Sequence, residues 1–125
     1  MTTILMVEDE MNLAMMLEDI LDDAGYRVLK AGRLPQALEI VAQLDSEGTA
    51  RIDAAILDIN LAGVQVFPLA EVLRARGVPF VFTSGYGRDG IPDDYRGSPV
   101  LQKPYSADSI VKTLQTMLGD VPVAD

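Results

Sequence analysis

Ala55-Ile56-Leu57-Asp58-Ile59-Asn60 is an apolar run that ends abruptly in a carboxylate. From Ile52 to Leu57 the chain is rich in Ile, Ala and Leu, the pattern of a strand covered on both faces in a parallel sheet. Asp58 then stands at the strand's carboxyl end, the edge at which open parallel sheets bind their ligands. The same residue would also suit the start of a turn, because Asp and Asn are common turn formers. Which of the two it is depends on what the rest of the chain brings to that edge.

Upstream, Thr3 to Val7 reads as a first buried strand and runs straight into Glu8-Asp9-Glu10. Leu13, Met16, Leu17, Ile20 and Leu21 follow at helical spacing, with Glu18, Asp19, Asp22 and Asp23 on the other side and Ala24-Gly25 as the stop. Met15 and Met16 read as core filling. Tyr26 to Ala31 has the mixed polarity of an edge strand. Pro35 suits the first turn of a second helix bearing Ala37, Leu38, Val41 and Ala42 on one face, and Asp45 to Arg51 reads as a polar loop.

Downstream, Asn60 to Gly63 is a connection. Val66, Leu69, Ala70 and Leu73 mark a third helix that has Pro68 in its opening turn and Gly77 as its stop. Val78 to Phe82 is a fourth strand ending in Thr83-Ser84-Gly85. Tyr86 to Ser98, with three glycines and little apolar content, holds at most one short, loosely held helix. Pro99 to Gln102 is a fifth strand that delivers Lys103-Pro104. Ile110, Val111, Leu114, Met117 and Leu118 share a face of a last helix, capped by Ser106 and stopped by Gly119.

Five strands alternating with five helices, the fourth short or mobile, predict an α/β fold: one doubly wound parallel sheet of order 2-1-3-4-5. Its carboxyl edge would gather Glu8, Asp9, Asp58, Thr83, Ser84 and Lys103. Crowded acids are unfavourable unless a cation joins them, and Lys103 alone cannot balance three. Oxygen-only ligands then favour magnesium over zinc or copper.

Composition narrows the chemistry. The 125 residues are 49% hydrophobic and 23% charged, which suits one domain with an ordinary core. Zero cysteines and zero histidines exclude thiol and imidazole chemistry, so carboxylates must carry any reaction. A net charge of -9 argues against a nucleic-acid partner. No apolar run approaches the ~18 residues of a membrane span, and the start Met1 to Glu10 lacks the basic flank of a secretory signal. No membrane partner and a cytoplasmic location are therefore expected.

Together these residues resemble the receiver domains of two-component response regulators, which share this flavodoxin-like strand order. The resemblance covers essentially the whole chain. It rests on Glu8-Asp9 after the first strand, Asp58 after the third, Ser84 after the fourth and Lys103-Pro104 after the fifth. It implies that Asp58 accepts a phosphoryl group from a sensor histidine kinase or phosphotransfer protein, with Ser84 and Lys103 contacting phosphoryl oxygens. It also implies magnesium held by Asp9, Asp58 and the Asn60 backbone carbonyl, with Glu8 acting through water. Residues 1–119 would be the receiver domain and 120–125 a short tail, without an output domain. Such a stand-alone regulator would signal by protein contact with a downstream partner, or drain phosphoryl groups from its kinase.

The sequence departs from the common receiver pattern in two places. Ile-Asn-Leu-Ala-Gly-Val-Gln-Val follows Asp58 in place of a Met-Pro and Gly loop, and Val100 stands where an aromatic switch residue is usual. The run Pro79 to Gly87 resembles a subgroup with a Pro-Phe-x-Phe-x-Thr-Gly-Tyr-like signature. With a compact valine at position 100, the expected phosphorylation-sensitive surface moves to Tyr86, with the segment after it and the last helix near Ile110. Two other classes share features. A haloacid-dehalogenase-type phosphatase would need an acid where Asn60 stands, and a flavodoxin-like cofactor carrier would meet repulsion from Glu8-Asp9-Glu10.

Overall fold

The computed structural model describes residues 2–47, 51–85 and 90–119. Its elements are β1 (Thr3–Val7), α1 (Met11–Asp23), β2 (Arg27–Ala31), α2 (Leu34–Glu47), β3 (Ala54–Asp58), β4 (Asn60–Leu61), β5 (Val64–Gln65), α3 (Phe67–Ala75), β6 (Phe80–Ser84), β7 (Val100–Gln102) and α4 (Ala107–Leu118), with a 3-10 turn at Asp93–Tyr95. Five strands form one parallel sheet of order β2-β1-β3-β6-β7. That is the predicted order, flavodoxin-like, counted along the chain.

The alternation of β-strand side chains divides the core into two layers. Leu5, Val7, Ala55, Leu57, Phe80 and Phe82 face α2 and α3. Ile4, Met6, Ala54, Ile56 and Val81 face α1 and α4. Central strands β1, β3 and β6 are buried along their whole length, as a sheet covered on both faces requires. Each fully buried leucine or isoleucine contributes about 1.5–3 kcal/mol relative to exposure, so this two-sided core holds the acid-bearing strand ends rigidly.

Several boundaries differ from the sequence reading. Helix α2 continues through Asp45 to Glu47, expected as loop, because neither Gly nor Pro interrupts it before Gly48. The fourth strand runs on through Thr83 and Ser84, both buried. The Asn60 to Gly63 connection is part of an antiparallel hairpin, β4 with β5, in which Asn60 pairs with Gln65 and Leu61 with Val64. Among the described residues there are four α-helices, not five.

The expected fourth helix is only the 3-10 turn, since Gly90, Pro92, Gly97 and Pro99 leave no room for a longer one. That turn is anchored rather than loosely held. Tyr95 is buried, stacks on Phe67 at 5.5 Å and meets Phe82 edge-on at 5.6 Å. The Arg74 guanidinium lies 4.1 Å from its ring centroid and donates to the Asp94 carbonyl at 3.0 Å.

Met15 and Met16 are not core residues: they are 59% and 44% exposed. At 100° per residue they stand well round the helix from Leu17 and Leu21, which face the sheet. Helix α4 behaves as its sequence suggests. Ser106 accepts from the Ser109 amide at 3.1 Å in a reciprocal capping box, and Gly119 ends the helix at φ 77°.

Candidate functional site

The parallel sheet brings the ends of β1, β3, β6 and β7 to one edge, where an open cleft of about 750 Å³ is lined by Glu8, Asp9, Asp58, Asn60, Ser84 and Lys103 among others. All six expected site residues therefore meet. Asp58 is the last residue of β3, in register with Thr83 of β6, and is 5% exposed. The end of a central strand supplies its position. Lys103 follows β7 directly, with its amide donating to the Ser84 carbonyl at 2.8 Å, and its bond to Pro104 is cis.

Lys103 Nζ stands 3.1 Å from Glu8 Oε1 and 3.1 Å from Asp58 Oδ2, one cation bridging two buried carboxylates. Glu8 Oε2 also accepts from the Glu10 amide at 3.0 Å, while Asp58 Oδ1 accepts a long bond, 3.4 Å, from the Asn60 amide. Burial and the neighbouring Glu8 charge push the Asp58 carboxyl up to about 7, against the opposing pull of Lys103. Burial pulls the Lys103 ammonium down, but hydrogen bonds to Glu8 and Asp58 outweigh it and hold its pKa above the ordinary value. One lysine thus leaves the acids under-neutralised.

Glu8, Asp9 and Asp58 each offer a carboxylate oxygen, and these lie within 4.8 Å of one another. A set of hard oxygen donors, carrying more negative charge than the single lysine offsets and open to a cleft, fits a divalent cation of the magnesium kind. Asp9 is the exposed member. Its Oδ2 accepts from the Ala62 amide at 3.0 Å, which ties the β4–β5 hairpin tip to the site. Asn60 Oδ1 accepts from Gly63 N at 2.9 Å within the same tip.

The remaining expected residues fall elsewhere. Thr83 is buried in β6 beside Asp58. Val100 pairs with Phe82 and packs against the α2/α3 side of the core. Ile110, expected beside a partner surface, is fully buried, because it heads the apolar stripe of α4 that meets the sheet. Tyr86, Arg88 and Asp89, and the tail from 120 to 125, lie outside the described residues. The sequence reading missed Ala62, whose Ala-Gly pair lacks the usual Asn-Gly hairpin signature.

Among the described residues no helix is long and apolar enough to cross a membrane. The family model of the response regulator receiver domain matches residues 4–115. The solution structure of SdrG from Sphingomonas melonis Fr1 is 42% identical, with a TM-score of 0.79, covering 94% of this chain and 97% of that one. Sensor kinase CckA of Brucella abortus is 31% identical over 93% of this chain, and sensory transduction protein RegX3 of Mycolicibacterium smegmatis is 32% identical over 94%. The chain spans 12% of the former and 51% of the latter.

Proposed function

We propose that this chain, which belongs to the response regulator receiver domain family, accepts a phosphoryl group on Asp58 from a histidine kinase or phosphotransfer protein and signals through protein contacts or by draining phosphoryl groups from its donor. The observation that carries this reading is the placement of Asp58: a buried strand-end carboxylate, beside two further acids and bridged to Lys103, at an open cleft.

The chemistry follows from the donors present. An Asp58 carboxylate oxygen attacks phosphorus, the P–N bond to the donor's imidazole breaks, and the imidazole leaves with the bonding pair. Lys103 bridges to Oδ2, and Oδ1 accepts the long bond from the Asn60 amide. Attack requires the ionised carboxylate, which Lys103 favours and burial opposes. Asp9, Asp58 and the Asn60 carbonyl would hold magnesium, with Glu8 ordering its waters, and the ion supplies neutralisation of the phosphoryl charge. Lys103 and the Ser84 hydroxyl serve the other phosphoryl oxygens. The donor must approach over an edge where Met11 and Met15, 76% and 59% exposed, share a groove with Glu8 and Asp9. Those side chains offer it an adaptable apolar surface.

Transfer of label from histidine kinases carrying radioactive phosphohistidine tests the proposal. The wild-type chain should take label from at least one kinase in the presence of magnesium, and Asp58→Asn should take none. Equal labelling of Asp58→Asn would overturn the assignment.

A further inference from the structure

Asp9 is the exposed member of the acid trio, so packing does not fix its carboxylate as it fixes those of Glu8 and Asp58. What reaches it is the tip of the β4–β5 hairpin, 53 residues away in the chain, where the Ala62 amide donates to Asp9 Oδ2 at 3.0 Å. Ala62 and Gly63 lie beyond the last strand pair, Leu61 with Val64, which leaves their amides outside the ladder. Gly63 N–H serves Asn60 Oδ1 at 2.9 Å, and Ala62 N–H serves Asp9.

The hairpin is anchored well enough to hold that amide in place. Ile59, Leu61 and Val66 are all buried in the core layer that faces α2 and α3, and the Val66 amide closes the base on the Ile59 carbonyl at 3.0 Å. Ala62 itself sits at φ 52°, a left-handed conformation that costs an alanine more than a glycine. A strained residue kept beside a candidate site is a reason to ask what it does there. Carboxylates that bind a metal with one oxygen are commonly held by a hydrogen bond on the other, and loss of such an outer partner weakens the metal.

We propose that the Ala62 amide is a positioning group for the metal site: by holding Asp9 through Oδ2 it keeps the exposed carboxylate beside Glu8 and Asp58, ready for a divalent cation. This inference rests on the reading that Asp9, Asp58 and the Asn60 carbonyl hold magnesium. One hairpin then supplies a ligand from its first strand and orients a second ligand from its tip.

Replacing the Ala62 amide by an ester, with lactic acid incorporated at position 62, removes the N–H and keeps the methyl. Magnesium is titrated into the full-length wild type, the ester and Ala62→Gly, which keeps the amide, and binding is followed at the Glu8 and Asp58 amide resonances. Urea unfolding without divalent cations is measured in parallel. The ester should bind magnesium roughly tenfold more weakly, and Ala62→Gly as tightly as the wild type. On an Asp9→Ala background, with no carboxylate left to orient, the ester should cost no further affinity. A merely structural contact would lower the urea midpoint of the ester and leave its magnesium affinity unchanged. That result overturns the inference and leaves the metal reading standing, as does an equal loss of affinity in Ala62→Gly or a full loss from the ester on Asp9→Ala. A wild-type protein that binds no magnesium at these resonances overturns both.

Discussion

Asp58 carries a charge problem in the resting protein. Burial and Glu8 raise its pKa from 3.8 to about 7 in the folded chain, while the unfolded chain releases the same proton near the ordinary value. Between those values the folded form holds a proton that the unfolded form does not. The stabilisation from Asp58 is therefore full below about pH 4 and is lost as pH rises through about 7. In protein kept free of divalent cations, urea unfolding should show a contribution from Asp58 that falls between about pH 4 and pH 7, and Asp58→Asn should remove that part of the fall. An unchanged slope in the variant would mean that Asp58 ionises normally. The acids and Lys103 were legible in the sequence because a parallel sheet of known order delivers its strand ends to one edge. Met15 and Met16 were misjudged for a different reason. Whether such a residue faces core or solvent depends on how its helix is rotated against the sheet, which periodicity fixes only to within about one residue's turn of ~100°.

The β4–β5 hairpin is the element least visible from the sequence and closest to the site. Its two-residue tip has Ala62 at φ 52° and Gly63 at φ 88°, the positive pair that a tight hairpin needs and that Asn-Gly usually supplies. Alanine in the left-handed region costs roughly 1–2 kcal/mol. The hydrogen bond from the Ala62 amide to Asp9 Oδ2 helps to hold the tip there. Ala62→Gly should stabilise the protein by roughly 0.5–1 kcal/mol in denaturant unfolding, because relief of the left-handed strain exceeds the added chain entropy. A loss of stability would show that the alanine methyl makes a packing contribution larger than the strain. By contrast, α4 could be read end to end, since Ser106 and Gly119 are local signals whose meaning does not depend on the rest of the fold. The hairpin lacked any such local signal, and its geometry is set by tertiary contacts to Asp9.

The two-layered core explains why so much of the architecture could be read in advance and why the segment around Tyr95 could not. Strands covered on both faces announce themselves as apolar runs, and right-handed crossovers leave few orders, of which the observed one puts β3 at the centre. The turn at Tyr95 depends on four aromatic rings from three elements, Phe67 of α3, Phe80 and Phe82 of β6 and Tyr95 itself, meeting in the core. No periodicity in the segment itself encodes that meeting. What the fold achieves as a unit is to hold three carboxylates and a lysine at a cleft with a net negative charge on the acids. The most direct test of its purpose is the intact mass of the protein after incubation with acetyl phosphate and magnesium, followed by mapping of any adduct. A single phosphoryl adduct on Asp58, dependent on magnesium, weakened by Asp9→Ala and absent from Asp58→Asn, is the predicted result. An adduct that persists undiminished in Asp58→Asn, or a wild-type protein that takes up no phosphoryl group, would contradict it.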